Sequence, residues 1–191
     1  MVWDVKTPDE IAEENEAIVF DTGALIGNLN NAELSQSHYA NIQRLVDNGI
    51  RLNVSQGVKR EVNGFRNSFS IPRFPLEVHR SKYFERISPK IVEYFLPKAA
   101  ELGITKGRLD YKSTDLNIAA LAFVFACNKP SVAFLSSDRK LNYLVCSTMN
   151  DLNGFPCDIE GTVNVYFFSQ SRGEFISYKE ELNLIERRKA R

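Results

Sequence analysis

The sequence predicts an α/β domain of three layers, in which helices cover both faces of a central, mainly parallel β-sheet. Short apolar runs alternate along the chain with segments of helical periodicity, and such alternation produces parallel strands joined by right-handed crossovers. The runs at 17–20 and 132–135 are apolar throughout, as strands buried on both faces should be. The length of 191 residues fits a single domain, 1–191, with a hydrophobic core.

Composition restricts the class of protein. The fractions of apolar residues, 43%, and charged residues, 25%, are typical of globular domains. No apolar run reaches the roughly 18 residues of a membrane helix, and the polar N-terminus does not resemble a secretory signal. Three widely spaced cysteines without a CxxC pair predict a cytoplasmic protein with neither a disulfide framework nor a zinc site. The formal net charge of zero says nothing about a nucleic-acid partner.

Local signals place the helices around the strands. Thr7, Pro8 and Glu10 form a capping-box pattern that predicts an N-terminal helix at about 7–16. Residues 66–88 lack a clear periodicity and contain two prolines, so we interpret them as part of an insertion or lid that extends to about residue 110. Further strands are predicted at 50–54 and 163–168, and further helices at 35–47, 56–65, 89–102, 115–127 and 139–148. A charged helix is predicted at the C-terminus.

Four acidic residues come at strand ends or helix starts on one predicted edge of the sheet. Asp21 and Asp138 directly follow the two buried strands, and Glu61 lies early in the helix after the second strand. Asp115 opens an apolar helix that runs toward the start of the strand at 132–135. Sites in open parallel sheets form beyond the carboxyl ends of the strands, so we expect the four carboxylates to converge. Clustered carboxylates need a compensating cation, and Mg²⁺ prefers such oxygen ligands.

Each acid also has a local explanation. Asp21 could belong only to a turn, and Asp138 could only cap a helix. Asp115 could only favour the helix dipole, and Glu61 could be a solvated surface residue. The order and context of all four together favour a shared metal site over four separate local roles.

The order of these acids resembles the pattern of the PIN-domain (PilT N-terminus-like) ribonuclease family. In that family an apolar strand runs into Asp-Thr/Ser, a Glu follows in the helix after the second strand, a third acid opens an Ala-rich helix, and a fourth follows a strand ending in Thr/Ser. The matching segments in this chain are IVFDTGAL from residue 18, VKREV from 58, STDLNIAALA from 113 and FLSSD from 134. The resemblance spans about residues 17–168.

The resemblance implies a metal-dependent endoribonuclease. It implies that Thr22 supports the site and that Ser136, which matches a family Thr/Ser, helps to order it. RNA, single-stranded or structured, is the implied substrate, and an antitoxin-like protein partner and a homodimer are further expectations. A toxin and an RNA-processing or defence enzyme stay open as roles. The residues implied to be catalytic and to bind Mg²⁺ or Mn²⁺ are Asp21, Glu61, Asp115 and Asp138.

Two departures from the family pattern concern the substrate and the metal. The segment between Glu61 and Asp115 is much longer than in small PIN toxins, which bears on the choice of RNA. Lys140 stands where the family often has an acid, two residues after the fourth Asp, which bears on the number of metal ions.

The inserted segment is basic and contains interleaved aromatic residues. Arg73, Arg80 and Lys82 are its main candidates for RNA contacts, because cations and aromatic rings together suit single-stranded nucleic acid. The alternative is a solvated loop whose aromatic residues anchor it to the core. The basic C-terminal tail has a similar alternative, since its charges also complement a helix dipole.

Two other functions compete with the nuclease. An apolar strand followed by Phe20-Asp21-Thr22 is also found in phosphohydrolases of the HAD type, but that chemistry requires an acid two residues after the nucleophile, where this chain has Gly23. The other alternative is a PIN-like scaffold that binds RNA or a partner without cutting it. Retention of all four acids argues against the scaffold.

Overall fold

The computed structural model describes residues 4–80, 82–104 and 113–178. Within these ranges seven strands form one mixed sheet, most of it parallel. The strands are β1 (Val5–Lys6), β2 (Ala17–Phe20), β3 (Leu52–Val54), β4 (Leu76–Val78), β5 (Ser131–Ser136), β6 (Thr162–Ser169) and β7 (Glu174–Ser177).

The strand order is β1-β7-β6-β5-β2-β3-β4. Strands β6, β5, β2, β3 and β4 are parallel, whereas β7 pairs antiparallel with β6 and β1 antiparallel with β7. In the centre, Ala17 lies opposite Val132 and Phe20 opposite Leu135, so β2 and β5 end in register. The predicted mainly parallel sheet is confirmed, and its two apolar central strands are the ones that the sequence indicates.

Helices connect the strands. They are α1 (Pro8–Glu14), α2 (Thr22–Ile26), α3 (Ala32–Asp47), α4 (Gln56–Arg66), α5 (Lys82–Leu102), α6 (Thr114–Ala126) and α7 (Arg139–Asn150). The predicted capping box of α1 is confirmed, because the Thr7 hydroxyl accepts from the Glu10 amide at 3.2 Å. The Glu10 carboxylate in turn accepts from the Thr7 amide at 2.7 Å.

Helices lie on both faces of the sheet, consistent with the predicted three layers. Side chains alternate between the faces along β6. On one face, the Tyr166 hydroxyl donates to a carboxylate of α1, and the Phe168 ring lies 4.3 Å from that of His38 in α3. On the other face, the ring of Phe167 lies 5.0 Å from the guanidinium of Arg139 in α7. The sheet is therefore the middle layer.

The core helix is α6. All its apolar residues except Phe125 are buried, which confirms the prediction from its uniformly apolar sequence. Its N-cap is Ser113, whose hydroxyl accepts from the Leu116 amide at 3.4 Å, whereas the predicted helix start at residue 115 would make Thr114 the cap. The cap thus lies one residue earlier and leaves Asp115 in the first turn.

The inserted segment is more ordered than its sequence suggests. It contains β4, which pairs in parallel with β3, and α5 begins at Lys82 and not at Pro89. Pro89 and Pro97 lie inside α5, where packing of this helix against α6 and α7 outweighs the missing amide donors. Strand β7 was not predicted either, because its four residues carry too little periodicity; it forms a hairpin with β6 across residues 170–173.

Some expectations fall on parts of the chain that the structure does not describe. The charged C-terminal helix falls on residues 179–191, which lie outside the described residues, as does the end of the insertion at 105–112. Among the residues described, no helix is both long and apolar enough to cross a lipid bilayer.

The prolines of α5 generate a prediction about stability. Pro97 is exposed, so Pro97→Ala restores a backbone donor without opening a core cavity. We expect a higher free energy of unfolding, by roughly 1 to 3 kcal/mol, because proline is strongly unfavourable inside a helix. Urea denaturation measures the change. The control is Pro8→Ala at the first turn of α1, a position that suits proline. An equal gain at both prolines would contradict the explanation.

Candidate active site

Asp21 occupies the turn between the central strand β2 and the short helix α2. Its amide donates to the Leu135 carbonyl at 2.9 Å, which continues the pairing of β2 with β5 by one step. Its side chain is only 7% exposed, and its Oδ2 accepts from the Ser136 hydroxyl at 2.9 Å. The register of the two strands therefore fixes the position of this carboxylate.

Ser136 joins two of the acids. Its buried Oγ donates to Asp21 and accepts from the Asp138 amide at 3.0 Å, and its carbonyl accepts from the Asn142 side chain at 3.0 Å. One oxygen of Asp138, Oδ1, caps α7 by accepting from two amides of the first helical turn. Among the described residues, neither of these two capping hydrogen bonds uses the other oxygen, Oδ2.

Glu61 reaches the same turn from α4. Its Oε2 accepts from the Thr22 hydroxyl at 2.5 Å, although the two residues are 39 positions apart in the chain. Thr22 is buried, whereas Glu61 is exposed. The contact connects the middle of α4 to the start of α2, next to Asp21.

Asp115 faces the other three acids from the first turn of α6. Burial, followed by the charges of Asp21, Asp138 and Glu61, raises its pKa to about 7. The pKa of Asp21 is raised to about 6, by burial and by the charges of Glu61 and Asp138, against the hydrogen bonds from Ser136 and the Thr22 amide that favour the charged form. Neighbouring carboxylates therefore act on both groups, and within the described residues no basic side chain is among the causes.

Helix starts supply part of the missing positive charge. Asp21 and Asp138 are the N-caps of α2 and α7, and Asp115 lies in the first turn of α6. The start of α4 is also close, since a Cβ on Gly57 would stand 2.6 Å from the Thr114 hydroxyl. Helix N-termini carry partial positive charge and favour anions such as carboxylates and phosphates.

The donor set fits a hard divalent cation by its chemistry. All four side chains offer carboxylate oxygens, the ligands that Mg²⁺ and Mn²⁺ prefer. Among the described residues, however, no three His, Cys, Asp or Glu side chains are close enough together to form a metal-binding group. Binding of one ion by all four acids would therefore require their side chains to rotate toward it.

The basic residues expected to contact RNA do not form one patch. The Arg80 guanidinium donates to the Gln56 side chain at the start of α4. Arg73 lies near the other end of that helix, close enough to Arg66 to influence its charge. The side chain of Lys82 lies outside the described residues. Arg73 and Arg80 thus flank α4 from opposite ends, with Glu61 between them.

Two residues of the site do not follow from the sequence motifs. A Cβ on Gly23 would stand 1.9 Å from the Ser137 Oγ and 3.1 Å from its Cβ, so the turns after β2 and β5 touch only because residue 23 is glycine. Asn142 is fully buried and holds the Ser136 carbonyl. A glycine in the first turn of a helix is a weak signal of such contact, since glycine is a poor helix former.

The raised pKa values predict a pH-dependent stability without metal. Folded Asp21 and Asp115 bind protons more tightly than the unfolded chain does, so their stabilising effect is complete below about pH 4 and is lost as pH rises through 6 to 7. Asp21→Asn should therefore raise the free energy of unfolding at pH 8, by roughly 2 to 3 kcal/mol, and hardly change it at pH 4.

Urea denaturation in EDTA across this pH range measures the difference between variant and wild type. Asp47→Asn, at the exposed end of α3, is the control and should show no such dependence. If the difference in free energy of unfolding between Asp21→Asn and the wild type does not change with pH, the pKa of Asp21 is not raised in the folded protein.

The contact at Gly23 predicts a specific rescue. Gly23→Ala should lower the free energy of unfolding by roughly 1 to 3 kcal/mol, because the new Cβ overlaps Ser137. Adding Ser137→Gly removes both contacted atoms and should recover most of the loss in a double-mutant cycle. Gly64→Ala is the control, since nothing lies within 4 Å of its Cβ, and it should be neutral or stabilising. Additive effects of the two site substitutions would refute the close approach.

Comparison with known proteins finds no match, neither to a protein-family model nor to a curated protein nor to a solved structure. A functional assignment for this chain therefore rests on the four sequence motifs and on the geometry and electrostatics of the acids that they contain.

Proposed function

We propose that the chain is a divalent-metal-dependent ribonuclease of the PIN type, which hydrolyses phosphodiester bonds in RNA. The observation that carries the proposal is electrostatic. Burial and the charges of neighbouring carboxylates from separate elements raise the pKa values of Asp21 and Asp115 at the carboxyl edge of the sheet, and no basic group of the described residues is among the causes. Such a cluster lowers the free energy of unfolding unless a cation compensates its charge. A metal-binding role explains why the chain keeps such a cluster, whereas a purely structural role does not.

The four acids would hold Mg²⁺ or Mn²⁺, which activates water and stabilises the leaving oxygen of a phosphodiester when bound. The chain's own groups prepare this site. The Ser136 hydroxyl orients Asp21 and the amide of Asp138, and the Thr22 hydroxyl orients Glu61. The N-termini of the surrounding helices favour an incoming phosphate, which lowers the repulsion between RNA and the acids.

The contacts at Gly23 weaken the phosphohydrolase alternative. An acid two residues after Asp21 would have to occupy position 23, where even a Cβ would overlap Ser137. The non-cutting scaffold is weakened by the cost of the carboxylate cluster, since a scaffold gains nothing from keeping it. An antitoxin-like partner, a homodimer and a cytoplasmic location belong to the same proposal, because they come only from the resemblance and from composition.

The decisive prediction concerns metal-dependent cleavage. Wild-type protein should cleave a mixture of structured and single-stranded RNA in Mn²⁺ or Mg²⁺ and not in EDTA. Asp21→Asn and Asp138→Asn should each reduce the rate by at least about 100-fold, because removing a metal ligand weakens the stabilisation of the transition state. Titration calorimetry with Mn²⁺ should show weaker binding to both variants.

The control for this experiment is Glu33→Gln, an exposed acid in the first turn of α3, which should cleave like the wild type. Circular dichroism checks that each variant is folded. Unchanged cleavage by pure, folded Asp21→Asn would eliminate the mechanism. Metal binding without cleavage of any RNA would favour the non-cutting alternative.

A further inference from the structure

Two aromatic rings are exposed one and two turns along from Glu61. Phe65 follows Glu61 by four residues in α4, and the Phe69 amide donates to the Phe65 carbonyl at 2.9 Å, which continues the turn. Residues four apart lie on the same face of a helix, so Phe65 shares a face of α4 with Glu61, and Phe69 follows in the turn after the helix. Phe65 is 37% and Phe69 41% exposed, and their ring centroids are 6.3 Å apart.

Packing does not account for these rings. The side of α4 that faces the core is occupied by Val58 and Val62, both buried. The loop after α4 is anchored by two other buried residues, Ile71 and Phe74. Large apolar side chains that are adjacent, exposed and not needed as anchors indicate a surface that binds a partner.

A cleft lies beside Phe69. Its volume is about 210 Å³, and it separates the loop after α4 from the first half of α3. Leu29, Tyr39 and Phe69 supply apolar walls, and Gln36 and Ser70 supply polar groups. Apolar walls with polar groups among them suit a ring that also carries donors and acceptors.

Apart from Glu61, the charged residues of α4 and of the loop that follows it are basic. Arg66 binds the Pro72 carbonyl through two nitrogens, at 2.6 and 3.2 Å, and burial followed by the charge of Arg73 lowers its pKa. Lys59 and Arg60 add two more cations on α4. Within the described part of the chain, none of these four forms an ion pair with a carboxylate. The guanidinium of Arg66 is engaged by the Pro72 carbonyl and by the Asn63 side chain, so Lys59, Arg60 and Arg73 are the cations better placed to contact a polyanion.

We propose that Phe65, Arg66, Phe69 and Arg73, here named the α4 platform, bind single-stranded RNA next to the carboxylate site. An unpaired base stacks on Phe69 in the cleft, a neighbouring base contacts Phe65, and Arg73 contacts phosphate. Aromatic rings combined with unpaired cations match the chemistry of a single strand, whose bases offer π faces and whose backbone is anionic. The platform depends on the proposed nuclease function in one respect only, namely that the bound RNA runs along α4 toward Glu61.

Binding can be measured separately from cleavage. Fluorescence anisotropy of a labelled oligouridylate and a labelled oligoadenylate, both in EDTA, gives the Kd without turnover. Phe65→Ala with Phe69→Ala should raise the Kd roughly 5- to 100-fold, because stacking is lost. Phe69→Trp should retain binding. Arg73→Ala should flatten the dependence of log K on log salt by about 0.7, the value for one phosphate contact with a single strand.

Tyr83 provides the matched control. It is 37% exposed and lies beside Arg86, 5.9 Å from ring centroid to guanidinium, but it belongs to the first turn of α5. Tyr83→Ala and Arg86→Ala should leave the Kd and the salt dependence unchanged. A duplex of the same sequence should bind without dependence on Phe65 and Phe69, since its bases are paired.

The outcomes separate the platform from the nuclease. Binding that depends on the phenylalanines in a protein that never cleaves RNA supports the platform and removes the proposed function. Cleavage that requires Asp21, together with a Kd that depends on neither phenylalanine, supports the proposed function and removes the platform. The platform is also overturned if the wild type binds no single strand, or if sedimentation shows that the phenylalanines mediate self-association instead of RNA binding.

Discussion

Repulsion among four carboxylates is the constraint to which this end of the fold is adapted. The acids come from the turn after β2, the middle of α4, the start of α6 and the turn after β5, so the packing of these elements brings them together. Two hydroxyls, on Thr22 and Ser136, hold Glu61 and Asp21 in place. Helix N-termini offset part of the charge. The close contacts at Gly23 and Gly57 bring these helix starts near one another, which concentrates both the repulsion and its compensation.

Features of the fold that depend on neighbouring residues could be predicted from the sequence. The capping box of α1, the apolar strands β2 and β5 and the uniformly apolar α6 are all local patterns, and each was found as expected. Strand β4 could not be predicted in this way, because three residues carry too little periodicity and its pairing with β3 is set by tertiary structure. In α5, packing against α6 outweighs the local signal of Pro89.

The same distinction between local pattern and tertiary structure applies to the candidate site. Residues that follow parallel strands such as β2 and β5 share one edge of the sheet, so the sequence could predict that Asp21 and Asp138 lie near each other. The link between Thr22 and Glu61 and the burial of Asn142 depend on side-chain geometry across distant segments. The overlap that any side chain at position 23 would meet is likewise invisible in the sequence, because its partner, Ser137, is 114 positions away.

The two outermost strands of the sheet are short, with two residues in β1 and three in β4. An unpaired strand edge can recruit another chain through backbone hydrogen bonds, and long flat edges are the ones that polymerise. Edges of this length offer few amides and carbonyls to a neighbour. Lys6 places a charge on one of them, and Pro75, just before β4, lacks an amide donor at the other. Within the described residues, growth of the sheet by strand addition at these two edges is therefore disfavoured.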